Sequence, residues 1–374
     1  MELFNNIKNL DYQRQEYINT FIKKIKQFPY VSLWGISESC DEAIKFLRSN
    51  NIVIKCIYNV NAERYNFTYR NIPVVPQSFD EIDTNCAIIV TCSFYNDFKS
   101  KLIQKYPNID DNLFVFDGYF LEDKKVSYFI ENKDVIIKCY DSLVDDLSKR
   151  SYDALLKYRF IRDSEIIKNL CNPRNDCYLD DVFINNYKSG LYIDAWSYNA
   201  DFVTSLKNKV DISKSKFYIF EPNSTFYQKI VDNLDKSIDY KVYNVALCDR
   251  EDKMEFVKLP FSTSHIVNKK YNAYNDTMKS YIDIVDTKTL DSIVWDEKVT
   301  GIKVDIEWAE FSMLVGATNT IKRDRPIILI AIYHRWDDMF QLQNYLMELN
   351  LNYKFYIRHY SLSVAKTILY CIPQ

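Results

Sequence analysis

Three apolar runs of this sequence end on acids: Leu191-Tyr192-Ile193 on Asp194, the run up to Phe220 on Glu221, and Lys303-Val304 on Asp305, with Glu307 two residues further on. In an open, mostly parallel sheet, ligands bind at the carboxyl ends of the strands, so acids repeated there outline one pocket built from three strands. An ionised carboxylate accepts two hydroxyl donors, and Pro222 stops the strand just past Glu221, which suits that residue to holding paired hydroxyls. Asp305 and Glu307 alternate with Val304 and Ile306, so in an extended strand both carboxylates face one side unless the strand ends between them. Two like charges so placed raise one another's pKa, favour a proton on one, or recruit a cation. Asp305, Glu307 or a histidine is suited to taking a proton from an attacking group. The chain has three histidines, His265, His334 and His359, all downstream of these acids' first member and near predicted strand ends. His334 is the leading candidate of the three, against the bland reading of a hydrogen-bonded structural residue. Arg358 beside His359 suits an anionic group such as a phosphate or uronate, or an ordinary salt bridge.

The elements that must position these residues follow from periodicity. Apolar residues at helical spacing over about 11–28 predict an amphipathic helix, followed by strands at 30–35 and 52–58 with a helix over 41–49 between them. Further strands at 72–75, 87–90 and 113–116 with a helix at 94–106 predict a Rossmann-like domain over 1–118. The turn after its first strand keeps only Gly35 of a dinucleotide fingerprint, and Asn59 and Asn61 stand where a ribose-binding acid is expected, so a scaffold or docking role is the better reading. Residues 119–185 read as a helical connector whose acid pairs suit solvated helix ends. Over 186–374, strands at 191–194, 216–221, 240–248, 301–307 and 327–333 alternate with helices and predict a second doubly wound sheet. Strands at 353–359 and 367–372, with no helix between them, add a C-terminal antiparallel hairpin. The fold class is therefore α/β, with two doubly wound Rossmann-like domains.

At 374 residues the chain can bury two cores. A net charge of −3 with scattered lysines provides no basic stripe, which argues against nucleic acid. The 47% hydrophobic and 26% charged content is that of a folded chain, and no apolar stretch is long enough to span a membrane. Met1-Glu2-Leu3-Phe4-Asn5-Asn6 carries no secretion signal, so a cytoplasmic setting is expected. The nine cysteines form no Cys-x-x-Cys pair with zinc-site spacing and read as reduced thiols, so no metal is assigned.

The order and wording of the motifs resemble the FkbM family of S-adenosylmethionine-dependent methyltransferases, over about residues 185–374. The matching pieces are Asp194-Ala195-Trp196-Ser197-Tyr198-Asn199-Ala200-Asp201, Phe220-Glu221-Pro222, Ala246-Leu247-Cys248-Asp249, Ser262-Thr263-Ser264, Lys303 to Glu307, Tyr333-His334, and Arg358 to Ser361 ahead of Ile368-Leu369-Tyr370. The resemblance implies a methyltransferase-type second domain with S-adenosylmethionine as cofactor. It implies a small-molecule or glycan acceptor, methylated on a hydroxyl or an amine of a bacterial surface glycan or its precursor. Asp194, Trp196, Tyr198, Glu221, Asn223 and Asp249 would then bind the cofactor, with Glu221 on the ribose hydroxyls and Asp249 on the adenine amino group. Asp305, Glu307 and His334 would be catalytic, and Ser262, Ser264, His265, Arg358 and His359 would face the acceptor. A homo-oligomer is compatible with this reading.

The sequence departs from the family pattern at three glycine positions, which hold Trp196, Ala200 and Trp308. Either the loop is reshaped or the tryptophans point away. The rival expectation is an inactive binding protein whose cofactor pocket Trp196 and Trp308 block, and a further one is a pocket rebuilt for another nucleotide that keeps Glu221. Lys366 stands where relatives carry an acid, which weakens any inference about the acceptor.

Overall fold

A computed structural model of the chain describes residues 1–60, 62–78, 81–91, 95–116, 126–173, 177–258, 264–267 and 282–374. Two compact units emerge, one made of residues 1–134, 150–172 and 359–366, the other of 135–149, 173–358 and 367–374.

The first unit is built on β1 (Val31–Trp34), β2 (Ile54–Asn59), β3 (Thr68–Tyr69), β4 (Ile72–Pro76), β5 (Ala87–Val90) and β6 (Leu113–Val115), in the spatial order β3-β4-β2-β1-β5-β6. All pairings are parallel except the β3–β4 edge. Side-chain alternation assigns the two faces to two cores. Val31, Leu33, Ile57 and Ile89 join Phe21 and Ile25 of the helix Leu10–Ile25 on one face, while Trp34, Tyr58, Ile88 and Val90 join Leu102 of the helix Tyr95–Lys105 on the other. The strands and helices stand close to where the pattern predicts them.

The second unit contains β7 (Leu191–Ala195), β8 (Lys216–Phe220), β9 (Asp239–Tyr243), β10 (Ala246–Leu247), β11 (Asp252–Val257), β12 (His265–Ile266), β13 (Ile282–Lys288), β14 (Val299–Val304), β15 (Ile327–Ala331), β16 (Tyr353–His359) and β17 (Thr367–Pro373). The main sheet runs β16-β17-β15-β14-β7-β8-β9, parallel from β15 to β9, with β17 antiparallel to β15. Chain order reverses between β7 and β14, and such a reversal leaves a crevice at the carboxyl ends of the two strands. A smaller sheet, β10-β13-β11-β12, stands apart from it. Among the described residues no helix is long and apolar enough to cross a membrane.

Two differences from the sequence expectations matter for the site. The run 240–248 is not one strand. It divides at Asn244, whose amide donates to the carbonyls of Glu221 and Pro222 (2.8 and 3.0 Å) and so diverts the chain from the main sheet to β10. The run 301–307 ends as a strand at Val304, and the chain then turns, with left-handed backbone at Glu307 and Trp308 (φ 45° and 81°).

Gly301 lies where β14 passes β7 with the Tyr192 ring on top of it; a Cβ there would come within 2.3 Å of that ring. The Tyr192 ring is buried between Phe183 and Phe217, with its hydroxyl donating to the Lys188 carbonyl (2.8 Å), so it has little room to yield. Gly301→Ala is expected to destabilise the protein by about 1–3 kcal/mol through overpacking, read as a lower urea midpoint.

Candidate active site

Where the strand order reverses, the two central strands are tied by a buried ion pair. Lys303 Nζ lies 3.0 Å from Asp194 Oδ1, with side chains 7% and 0% exposed. Lys303 also donates to the carbonyls of Ala195 (3.3 Å) and Trp196 (2.9 Å), and Ser197 Oγ donates to Asp194 Oδ2 (2.5 Å). The loop after β7 is thus held from below by one ammonium and one carboxylate. Its backbone is left-handed at Trp196, Tyr198 and Ala200 (φ 67°, 53° and 59°), a conformation in which each side-chain-bearing residue costs roughly 1–2 kcal/mol. Glycine geometry is therefore kept without glycine. The Trp196 indole, 6% exposed, packs on Phe256 of β11 with ring centres 5.6 Å apart, and that burial offsets part of the strain.

The next strand end, Glu221, is wholly buried and binds the same loop. Tyr198 N–H donates to Oε2 (2.9 Å) and Asn223 N–H to Oε1 (2.8 Å). Burial nevertheless pushes its pKa up to about 7, the two N–H donors and Lys303 opposing this only in part. Asn223 caps the helix Ser224–Asn233 through Thr225 N–H (3.0 Å), while its amide donates to Ser264 Oγ (3.3 Å). Asn223 and the buried Ser264 therefore adjoin Glu221, with His265 next in chain on β12. Asp249 follows β10 and pairs with Arg250 (3.2 Å), a turn-residue environment.

The third strand end opens into a cluster around His334, which is fully buried three residues past the end of β15 and next in chain to Tyr333. Nδ1 lies 2.7 Å from Glu310 Oε1, and because a carboxylate accepts, Nδ1 carries the proton there. Glu310 heads the helix Glu310–Gly316, is 0% exposed, and takes the Ile306 N–H as well (3.0 Å). Nε2 points the other way, 3.4 Å from Asp305 Oδ1 and 3.4 Å from Glu307 Oε2. Tyr333 Oη donates to Asp305 Oδ1 (3.0 Å). Burial alone would push the His334 pKa down, but the carboxylates of Glu310 and Glu307 outweigh it and hold it well above the ordinary histidine range. Burial, with Asp305 nearby, raises the Tyr178 phenol far above its usual value. Burial and Glu310 likewise raise Asp338, whose Oδ2 accepts the Arg335 N–H (2.7 Å).

Asp305, Glu307 and His334 thus come together, though through a turn rather than strand alternation. Their ligand atoms all lie within 4.8 Å of one another, close enough to share one cation. Lys303 and Glu310, which support Asp194 and His334, had no role assigned to them from sequence; their only signal is that they lie at the two ends of the run Lys303 to Glu310 that carries Asp305 and Glu307. Tyr178 and Asp338 carried no sequence signal. Arg358 is engaged elsewhere in the unit, with Asp145 (2.7 Å), Asp180 (3.4 Å) and Ser148 Oγ (3.0 Å). His359, the last residue of β16, falls in the first unit rather than with the rest of that strand, and is fully buried, its pKa lowered to about 3 by burial and by Arg159. Ser262 lies outside the described residues.

A parallel sheet of this order, with acids at the carboxyl ends of its central strands and an antiparallel β17 beside β15, is an α/β fold of methyltransferase type. Residues 188–355 match the family described as the methyltransferase FkbM domain. The crystal structure of methyltransferase FkbM from Methylobacillus flagellatus KT is similar over 98% of this chain and 100% of that one, with a TM-score of 0.60 and 15% identity. No curated protein matches.

Two measurements test the buried charges. Lys303→Met leaves Asp194 without its cation and is expected to destabilise the fold by about 3–5 kcal/mol in urea unfolding, with most of the loss recovered in Asp194→Asn/Lys303→Met. Because the folded pKa of Glu221 is raised, its contribution to stability is fully present below the ordinary carboxylate range and is lost as pH rises toward 7. From 4.5 to about 7 that amounts to roughly 3 kcal/mol at 1.36 kcal/mol per unit. The difference in unfolding free energy between the wild type and Glu221→Gln should therefore shift by about that amount across this window.

Proposed function

We propose that the second unit transfers a methyl group from S-adenosylmethionine to an acceptor hydroxyl, or an amine, with a surface glycan or its precursor as the acceptor and the cytoplasm as the setting. The observation that carries this is the convergence of three acid-tipped strands, Asp194, Glu221 and Asp305, about the reversal of a sheet whose residues 188–355 match the FkbM domain. The glycan class rests on the family likeness.

The residues present fit such a cofactor. Glu221 has two backbone donors, whereas a carboxylate offers about four lone-pair positions, so acceptor capacity remains for a ribose diol. Hydroxyl donors would favour its ionised form and offset the rise that burial imposes. S-adenosylmethionine, when bound, supplies a methyl group on a sulfonium. Asp194, Ser197 and Lys303 hold the loop that would border it, and Tyr198, edge-on to Phe226 at 4.5 Å, fixes the loop's outer turn. Asp305 and Glu307, each partly exposed, are the proton acceptors within reach of an incoming hydroxyl, and His334 Nε2 stands behind them.

The reading of an inactive, blocked pocket is disfavoured. The indole of Trp196 is occupied against Phe256, and Trp196, Ala200 and Trp308 all keep the left-handed backbone that glycine would supply. Calorimetric titration of the full chain with S-adenosylmethionine and S-adenosylhomocysteine tests the proposal. Micromolar binding is expected, weakened about 100-fold or more in Glu221→Ala through the loss of two charge-assisted hydrogen bonds. No heat at millimolar ligand would overturn it. Trp196→Gly is expected to leave the affinity within about tenfold of wild type, since its ring is packed elsewhere.

A further inference from the structure

From the geometry around His334 we infer that Asp305, Glu307 and His334 form a site for a divalent transition-metal ion. Two carboxylate oxygens stand 3.4 Å from the same imidazole nitrogen. Donors around a four-coordinate ion at 2.0–2.1 Å stand about 3.3 Å apart, so the spacing is that of ligands flanking an ion. His334 Nε2 is fully buried and makes no hydrogen bond, although it is aimed between the two acids. A buried polar atom without a hydrogen bond is costly, and Nε2 is directed where a cation would be.

The surrounding groups act as such a site requires. Glu310 takes the Nδ1 proton at 2.7 Å, which fixes the tautomer, leaves Nε2 as the donor and raises its basicity. Tyr333 Oη holds Asp305 Oδ1, and Ile306 N–H holds Glu310, so both the ligand and the orienting acid are fixed in position. Asp305, Glu307, Glu310 and Asp338 bring four carboxyls to one histidine, with Arg335 nearby and salt-linked to Asp337 (3.3 Å). That excess of negative charge at low exposure favours a cation. One nitrogen and two oxygens suit manganese, iron, cobalt or zinc better than calcium, which takes six or more oxygens. Three protein ligands leave coordination positions for another oxygen. Asp305 and Glu307 are 14% and 12% exposed, so the open side faces outward. An ion there would draw in an acceptor's oxygen and acidify its hydroxyl. This last role rests on the methyltransferase reading; the ion site itself does not.

The test uses the full chain titrated with MnCl2 near neutral pH, followed by the loss of the free-ion paramagnetic resonance signal. Expected are one bound ion per chain, nitrogen coupling from the imidazole in the pulsed spectrum, and competition by zinc. Glu310→Gln should weaken binding about 10–100-fold by releasing the imidazole. Asp305→Asn/Glu307→Gln should abolish binding with an unchanged circular dichroism spectrum, since it relieves repulsion rather than breaking a core; Glu307→Gln alone, at a partly exposed position, gives the same direction if the double variant misfolds. No manganese binding by the folded wild type, no nitrogen coupling, or unchanged affinity in the carboxylate variants would each overturn the site. S-adenosylmethionine binding without manganese binding sinks the ion site alone, and the converse sinks the methyltransferase reading alone.

Discussion

The ion pair between Asp194 and Lys303 joins the two strands between which the sheet reverses its order, and the rest of the site hangs from it. Lysine and aspartate are both out of water there, so each is held in place by the other: either one alone would be a buried charge without a partner. The same ammonium binds two carbonyls of the loop after β7, the left-handed turns of that loop bring Tyr198 N–H to Glu221, and Glu221 in turn takes Asn223 N–H at the start of the next helix. A charge between strands is passed on as backbone hydrogen bonds to the second acid, Glu221.

The two acid sites along this edge differ in what neutralises them. Glu221 is met by backbone N–H groups, which stabilise its charge without competing for a ligand's hydroxyls. Asp305 and Glu307 face an imidazole, whose own charge is governed by Glu310 behind it. One is equipped to receive neutral donors, the other to handle positive charge or protons. That division of labour depends on the chain leaving β14 at Val304, because a strand continued through Glu307 would have kept Glu310 from reaching back to His334.

Much of this was legible from residue types. The acid-tipped strands and the βαβ order of both sheets follow from spacing, whereas spacing marks His334 only as a histidine near a predicted strand end, and its place beside Asp305 came from the structure. Periodicity did not reveal where strands stop. Asn244 breaks one run by bonding to carbonyls distant in sequence, and Glu307 and Trp308 adopt a backbone that tryptophan and glutamate rarely take, so neither event has a local signature. An ordinary salt bridge is one of the two readings of Arg358, but its partners were hidden, since Asp145 and Asp180, which claim it, belong to the stretch read only as a connector. Tyr178 reaches Asp305 from that same stretch, for the same reason unseen.

The division of the chain into units has a consequence for synthesis. Residues 359–366 belong to the first unit, and the backbone crosses between the units at 134, 149, 172, 358 and 366. Domains made early on the ribosome usually fold before later ones appear. Here the first unit lacks its last segment until residues 173–358 of its neighbour have been translated, so it cannot be completed before most of that neighbour has been made, and no single proteolytic cut yields either unit intact.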